Sequence, residues 1–297
     1  MSPYRTELVP AAPGVRLAVD LFETDGRSGK AFLLVHGLAS NARLYDGVAE
    51  ELSRRGHLVA AVDLRGHGRS DKPEEGYDYD TLCADLLAVL DFLAPRGWPE
   101  AVVAVGQSFG ANLVLELAAR QLGRTAGVAC IDGGTIDLQA TFSSWEEAAE
   151  ALRPPPLSGT PLAELEAHMR AAHPDWPESG IRGALANFEV RPDATVTPHL
   201  TLQRHLRILH TMWESRPSFL YGRLAVPVLF LPARSPGAPT AWGVAKEKAT
   251  AEAVAAIERA AAHVIEGDHD LHAQHPLEVA RLLDEAAGSL FAEPAGS

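Results

Sequence analysis

Five residues constrain this chain more than any others: Gly106-Gln107-Ser108-Phe109-Gly110. An apolar run, Ala101 to Val105, leads into them, and a helix-patterned stretch, Ala111 to Gln121, leads out. A strand that turns straight into a helix has no room for side chains at both ends of the turn, so glycines flank it. Such a turn lifts the Ser108 hydroxyl off the C-terminal end of the strand. The helix N-terminus beside it favours developing negative charge. A glycine-rich turn with a chance serine would spell the same five letters. The strand–turn–helix context is what makes Ser108 a candidate nucleophile.

The rest of the chain supplies a fold around that turn. Val15 to Leu21, Ala31 to Val35, Leu58 to Val62, Ala101 to Val105 and Gly127 to Ile131 read as strands. Leu44 to Arg54, Thr81 to Leu93 and Ala111 to Gln121 carry helical spacing between them. Continuous apolar runs such as Ala31-Phe32-Leu33-Leu34-Val35 fit strands buried on both faces. The alternation predicts an α/β fold: a mostly parallel central sheet flanked by helices. Between about 136 and 222 strand signals vanish. Helical stretches are expected at Trp145–Leu152, Leu162–Ala172, Ile181–Phe188 and Leu200–Trp213. Alternation resumes with a strand at Val226–Leu231, an Ala-rich helix over 243–262, a short strand at Val264-Ile265 and a helix at Leu277–Leu290. The tail from Glu293 to Ser297 reads as frayed. The 297 residues suggest two domains of about 150 each. The pattern replaces that division with a core, 1–135 and 223–297, interrupted by a helical insertion, 136–222.

Composition narrows the partners. With 26 Lys and Arg against 39 Asp and Glu the net charge is −13, which argues against nucleic acid and against an anionic membrane surface. Two cysteines, Cys83 and Cys130, in apolar surroundings are expected as buried thiols. The N-terminus lacks an apolar signal region and no apolar run reaches about 18 residues, so a cytoplasmic location is expected. A small-molecule substrate, no cofactor, and a monomer or homodimer complete the expectation.

An alcohol is a poor nucleophile at neutral pH, so Ser108 needs a base late in the chain. His269, in Gly267-Asp268-His269 directly after Val264-Ile265, lies nearest a strand end; His272 and His275 are its competitors. Asp268, His269, Asp270 and His272 could be read as a metal cluster, but they sit in one short loop and a serine elbow already accounts for the histidine. No metal is expected. An oxyanion needs two donors: the N–H of Phe109, after the nucleophile, and that of Leu38, in the turn His36-Gly37-Leu38.

Together these residues resemble the α/β-hydrolase family. The strand into His36-Gly37, the run Asp63-Leu64-Arg65-Gly66-His67-Gly68-Arg69-Ser70, the serine elbow and the late histidine occur in that family's order. The resemblance covers about 14–135 and 224–291, with 136–222 standing where the family carries its cap. It implies that Asp63–Ser70 is a structural loop and His67 no catalyst. It also implies a triad acid after the strand that follows the cap. No carboxylate lies between Leu220 and Lys246, and Glu247 is the first. Some members carry the acid at the end of the preceding core strand, where this chain has Asp132-Gly133-Gly134. Asp132 is therefore the expected acid, with Asp137 and then Glu247 as alternatives; an Asp-Gly turn is the other role open to it.

A serine elbow excludes the aspartate-nucleophile branches. The expected chemistry is hydrolysis of a carboxylic ester, thioester or lactone of a small to medium apolar substrate through an acyl-enzyme. The same triad also supports C–C cleavage, hydroxynitrile lysis or cofactor-free perhydrolysis, and a non-catalytic binding protein is the third reading. His36, Gly37, Trp213 and Trp242 are the expected substrate-facing positions, although His36 also reads as a structural hydrogen bonder and Trp242 as a packing residue.

Overall fold

The computed structural model describes residues 4–22, 29–120, 123–238 and 240–292. The expected tail from Glu293, and Gln121 at the end of one expected helix, lie outside the described residues.

The first half of the chain alternates as its pattern predicts. The strands are β1 (Tyr4–Ala12), β2 (Val15–Phe22), β3 (Ala31–Val35), β4 (Leu58–Val62), β5 (Val102–Gln107) and β6 (Thr125–Ile131). The helices are α1 (Asp46–Arg54), α2 (Tyr79–Leu93) and α3 (Phe109–Arg120). Asp78 starts α2, its side chain accepting from the Thr81 N–H, which satisfies one of the free donors of the first turn. In β3, Leu33 and Val35 pack into the core cluster on one side of the sheet, and Phe32 and Leu34 into the cluster on the other. That is the period of two expected of a strand covered on both faces. Each fully buried Val or Leu contributes about 1.5–3 kcal/mol.

The segment between β6 and the next core strand holds α4 (Leu138–Thr141), α5 (Trp145–Ala151), α6 (Leu162–Ala172), α7 (Glu178–Leu185), the strands β7 (Phe188–Val190) and β8 (Val196–Pro198), and α8 (Leu202–Trp213). The chain then returns through β9 (Val228–Leu231), β10 (Ala233–Arg234), α9 (Ala241–Ala256), β11 (Ala260–Ala262), β12 (Ile265–Glu266), α10 (Leu271–Gln274) and α11 (Pro276–Gly288). Eight strands form one sheet in the order β1-β2-β4-β3-β5-β6-β9-β11. Its first two contacts are antiparallel and the rest parallel. No helix among the described residues is long and apolar enough to cross a membrane.

Three departures from the sequence pattern have physical causes. Strand β1 carries Pro10 and a register shift between Pro10 and Ala12, and much of it faces solvent. Pro removes a ladder donor and is tolerated there because β1 is an edge strand. The Ala-rich stretch 243–262 is not one helix: α9 stops at Ala256, and Ala260–Ala262 pairs with β9. Alanine favours helix, but the open edge of β9 offers backbone hydrogen bonds that win. The insertion is not purely helical either, since β7 and β8 pair as a hairpin of three residues each, too short to show a period.

Candidate active site

Close packing builds the elbow. A Cβ on Gly106 would overlap the Gly110 carbonyl, and one on Gly110 would overlap the carbonyl oxygens of Val35 and His36. Only glycine lets β5, α3 and the end of β3 come this near. Between them Ser108 is held in the left-handed region at φ +53°, and its N–H donates to the Ile131 carbonyl at 3.0 Å. A non-glycine residue in that region costs about 1–3 kcal/mol and persists only where its surroundings fix it. Phe109 opens α3, so its N–H belongs to a first turn that has no intrahelical acceptors.

Asp132 follows β6 and is also left-handed, at φ +40°. The register explains where its carboxylate goes. Strands β6 and β9 pair Cys130 with Phe230 and Ile131 with Leu231, and the Asp132 N–H donates to the Leu231 carbonyl at 2.9 Å. Oδ1 of Asp132 then accepts from the Ala233 N–H at 2.8 Å and from Lys246 Nζ at 2.7 Å. Oδ2 accepts from His269 Nδ1 at 2.6 Å. Burial alone would raise this carboxyl. The His269 hydrogen bond and the His269 and Lys246 charges outweigh burial and hold it below the usual carboxylate range. Burial likewise pulls the His269 imidazole down, but the Asp132 hydrogen bond and the Asp270 and Asp132 charges leave it above the ordinary histidine range. Gln107, beside Ser108, donates from Nε2 to the His269 carbonyl at 3.0 Å and ties the histidine loop to the elbow.

The alternatives stand elsewhere. His272 is fully buried against the Tyr45 ring, centroids 4.4 Å apart, and burial pushes its pKa to about 3. His275 precedes Pro276 at the start of α11. Asp137 caps α4, accepting from the Ala140 N–H at 3.0 Å. Glu247 pairs with Arg234 at 2.8 Å. The Asp63–Ser70 run is held by its own backbone and by the segment at Ala42: Asp63 accepts from the backbone N–H groups of Ala42 and Arg69, and His67 donates from Nδ1 to the Arg65 carbonyl at 2.9 Å.

Ser108 and His269 line one chamber of about 190 Å³. The core contributes Leu38, Ala39, Ser40, Leu44, Gln107 and Asp270 to it, and the insertion contributes Met169, His173, Trp176, Ala184 and Asn187. Ala39, Ser40, Met169 and Asn187 also wall a larger, mostly apolar chamber of about 710 Å³ lined by the insertion's Pro154–Leu157 and Phe188.

Two expected substrate-facing residues are corrected. His36 has no exposed surface and uses both ring nitrogens on backbone: Nδ1 donates to the Gly37 carbonyl at 2.8 Å, and Nε2 accepts from the Leu64 N–H at 3.0 Å. Trp213 packs within the insertion against Trp145, and its carbonyl accepts from Gln139. Gly37 is buried against Gln107 and Ser108, where a Cβ would overlap the Gln107 amide and stand 3.1 Å from Ser108 Cβ. Trp242 is 55% exposed and lines a separate cleft that also touches Asp132, Lys246 and His269. Lys246 and Gln107 were not singled out from the sequence. Gln107 stands inside the elbow motif, but its bond to the His269 loop is tertiary; no local pattern marks Lys246, which only the assembled sheet ends bring to the site.

A family model described as "alpha/beta hydrolase fold" matches residues 30–162. The crystal structure of E-2-(acetamidomethylene)succinate hydrolase superposes with a TM-score of 0.74 at 23% identity, over 95% of this chain and 98% of that one. The chain therefore has the α/β-hydrolase fold. The AB hydrolase superfamily protein YisY of Bacillus subtilis is 37% identical over 105 residues, 35% of this chain and 38% of the relative. The 2-(acetamidomethylene)succinate hydrolase of Mesorhizobium japonicum is 33% identical over 161 residues, 52% of this chain and 53% of the relative. The chain thus matches about half or less of the length of these curated relatives.

Proposed function

We propose that the protein is a serine hydrolase that cleaves a carboxylic ester, thioester or lactone of a small to medium apolar substrate through an acyl-enzyme. The observation that carries this reading is the 2.6 Å Asp132–His269 hydrogen bond beside a left-handed Ser108 in the same chamber. Nδ1–H of His269 is spent on Asp132, so Nε2 is the nitrogen left to take the Ser108 proton. Ser108 Oγ attacks the carbonyl carbon. The N–H groups of Leu38 and Phe109 stabilise the oxyanion, each donor of this kind contributing about 2.7–4 kcal/mol. His269 protonates the leaving group, then removes a proton from water as it attacks the acyl-enzyme.

Charge in the chamber bears on substrate class. Among the described residues its lining includes the Asp270 carboxylate and no Lys or Arg, a setting that disfavours anionic substrates. The relative named above acts on a succinate; we assign this chain an uncharged substrate. The insertion acts as a cap, and the larger chamber takes the apolar remainder of the molecule. The test compares p-nitrophenyl acetate and butyrate turnover in wild type and Ser108→Ala, with fluorophosphonate labelling. Wild type is expected to hydrolyse both esters and to label, while the variant does neither. Labelling of Ser108→Ala, or an unlabelled wild type, would overturn the reading.

A further inference from the structure

We propose that Lys246 is a positioning residue for the triad: its ammonium clamps the relocated acid Asp132 and keeps His269 a competent base at lower pH. This rests on the reading of Asp132 as the triad acid. Lys246 stands on α9, on the far side of the loop that lacks a carboxylate, and its side chain is 18% exposed. Nζ lies 2.7 Å from Oδ1 of Asp132, opposite the oxygen that accepts from His269. With the Ala233 N–H this gives Oδ1 two donors, so the carboxylate cannot rotate without breaking both.

The charge has a consequence as well as the geometry. The groups acting on the His269 imidazole are the carboxylates of Asp132 and Asp270, which favour its protonated form, and Lys246, which opposes it. His272 beneath it is held neutral by burial, and His173 lines the same chamber. A carboxylate relocated beside the base would by itself hold the imidazole protonated to higher pH. Lys246 offsets part of that pull, while Glu247, next to it in the chain, is engaged by Arg234.

The experiment measures kcat/KM against pH with p-nitrophenyl butyrate for wild type, Lys246→Met and Lys246→Arg, and titrates the His269 imidazole by NMR in the same proteins. Lys246→Met is expected to move the acid limb and the imidazole titration upward by about 1 unit, with about tenfold lower kcat/KM on that limb. Lys246→Arg, which keeps the charge, is expected to restore most of the shift. An unmoved limb and titration in a folded Lys246→Met would overturn the inference, as would an arginine variant that behaves like the methionine one. Should Lys246→Met fail to fold, Lys246→Gln takes its place. Should wild type hydrolyse no ester, the catalytic reading fails on its own and the NMR titration still decides the inference.

Discussion

Two adjacent loops, one after β6 and one after β9, sit side by side at the ends of parallel strands. The first carries Asp132; the second runs Pro232-Ala233-Arg234-Ser235-Pro236-Gly237 and has no carboxylate. Their roles are complementary. The β6 loop supplies the carboxylate that meets His269, and the β9 side supplies the Ala233 N–H and Lys246 that hold it. Neighbouring strands lie about 4.8 Å apart, and a carboxylate on either reaches the same imidazole. A site of this kind is fixed by where charges converge, not by which strand carries each one.

The strongest test of that contrast is Asp132→Asn. An amide at this position no longer stabilises the imidazolium or selects its tautomer, so kcat is expected to fall about 1,000- to 10,000-fold with the fold intact by circular dichroism. Wild-type turnover would overturn Asp132 as the acid.

A smaller effect probes the elbow that both loops serve. Gly37→Ala pushes a methyl into the Gln107 amide, which donates to the His269 carbonyl. A loss of about 10- to 100-fold in kcat is expected, on the scale of a misplaced catalytic geometry. Unchanged kinetics would show that Gln107 yields without disturbing His269.

Buried histidines separate structure from catalysis. Burial holds His67 and His272 neutral, each with a pKa near 3. The unfolded chain protonates them near pH 6.5. Their folded values are depressed, so their contribution is present above pH 6.5 and is lost as pH falls toward 3. Each adds up to about 1.4 kcal/mol per pH unit to the slope of stability. Urea unfolding of His272→Phe between pH 4 and 7 is expected to show a shallower slope than wild type; an identical slope would show that His272 takes up its proton in the folded state.

The smallest effects fall on the carboxylates that only the sequence made competitive. Asp137→Asn and Glu247→Gln are expected to stay within about twofold of wild-type kcat/KM, because one caps a helix and the other pairs with Arg234 on the surface. A large loss in Glu247→Gln would make Glu247, on α9, the acid in place of Asp132.

The fold was legible wherever burial forces a period. Strand β3 and strand β4 have the bounds their apolar runs predict, because a strand covered on both faces is apolar throughout. Helix α6 likewise spans the residues its spacing predicts. The solvent-facing β1, the three-residue β7–β8 hairpin and the alanine strand β11 were not legible, since their pairing depends on distant partners. At the site, Ser108 announced itself through its glycines. Asp132 was reached through the absence of a carboxylate in the other loop. Lys246 could not be reached at all, because it is 114 residues from Asp132 and carries no local pattern.

The sequence by itself determined the elbow, the parallel strands and the candidates for nucleophile and base, because tight turns and buried strands permit few residue types. Only the tertiary structure decided which carboxylate meets His269, what holds that carboxylate from behind, and which walls the insertion lends to the chamber. Those contacts join residues far apart in the chain, and register between β6 and β9, not local propensity, sets their distance.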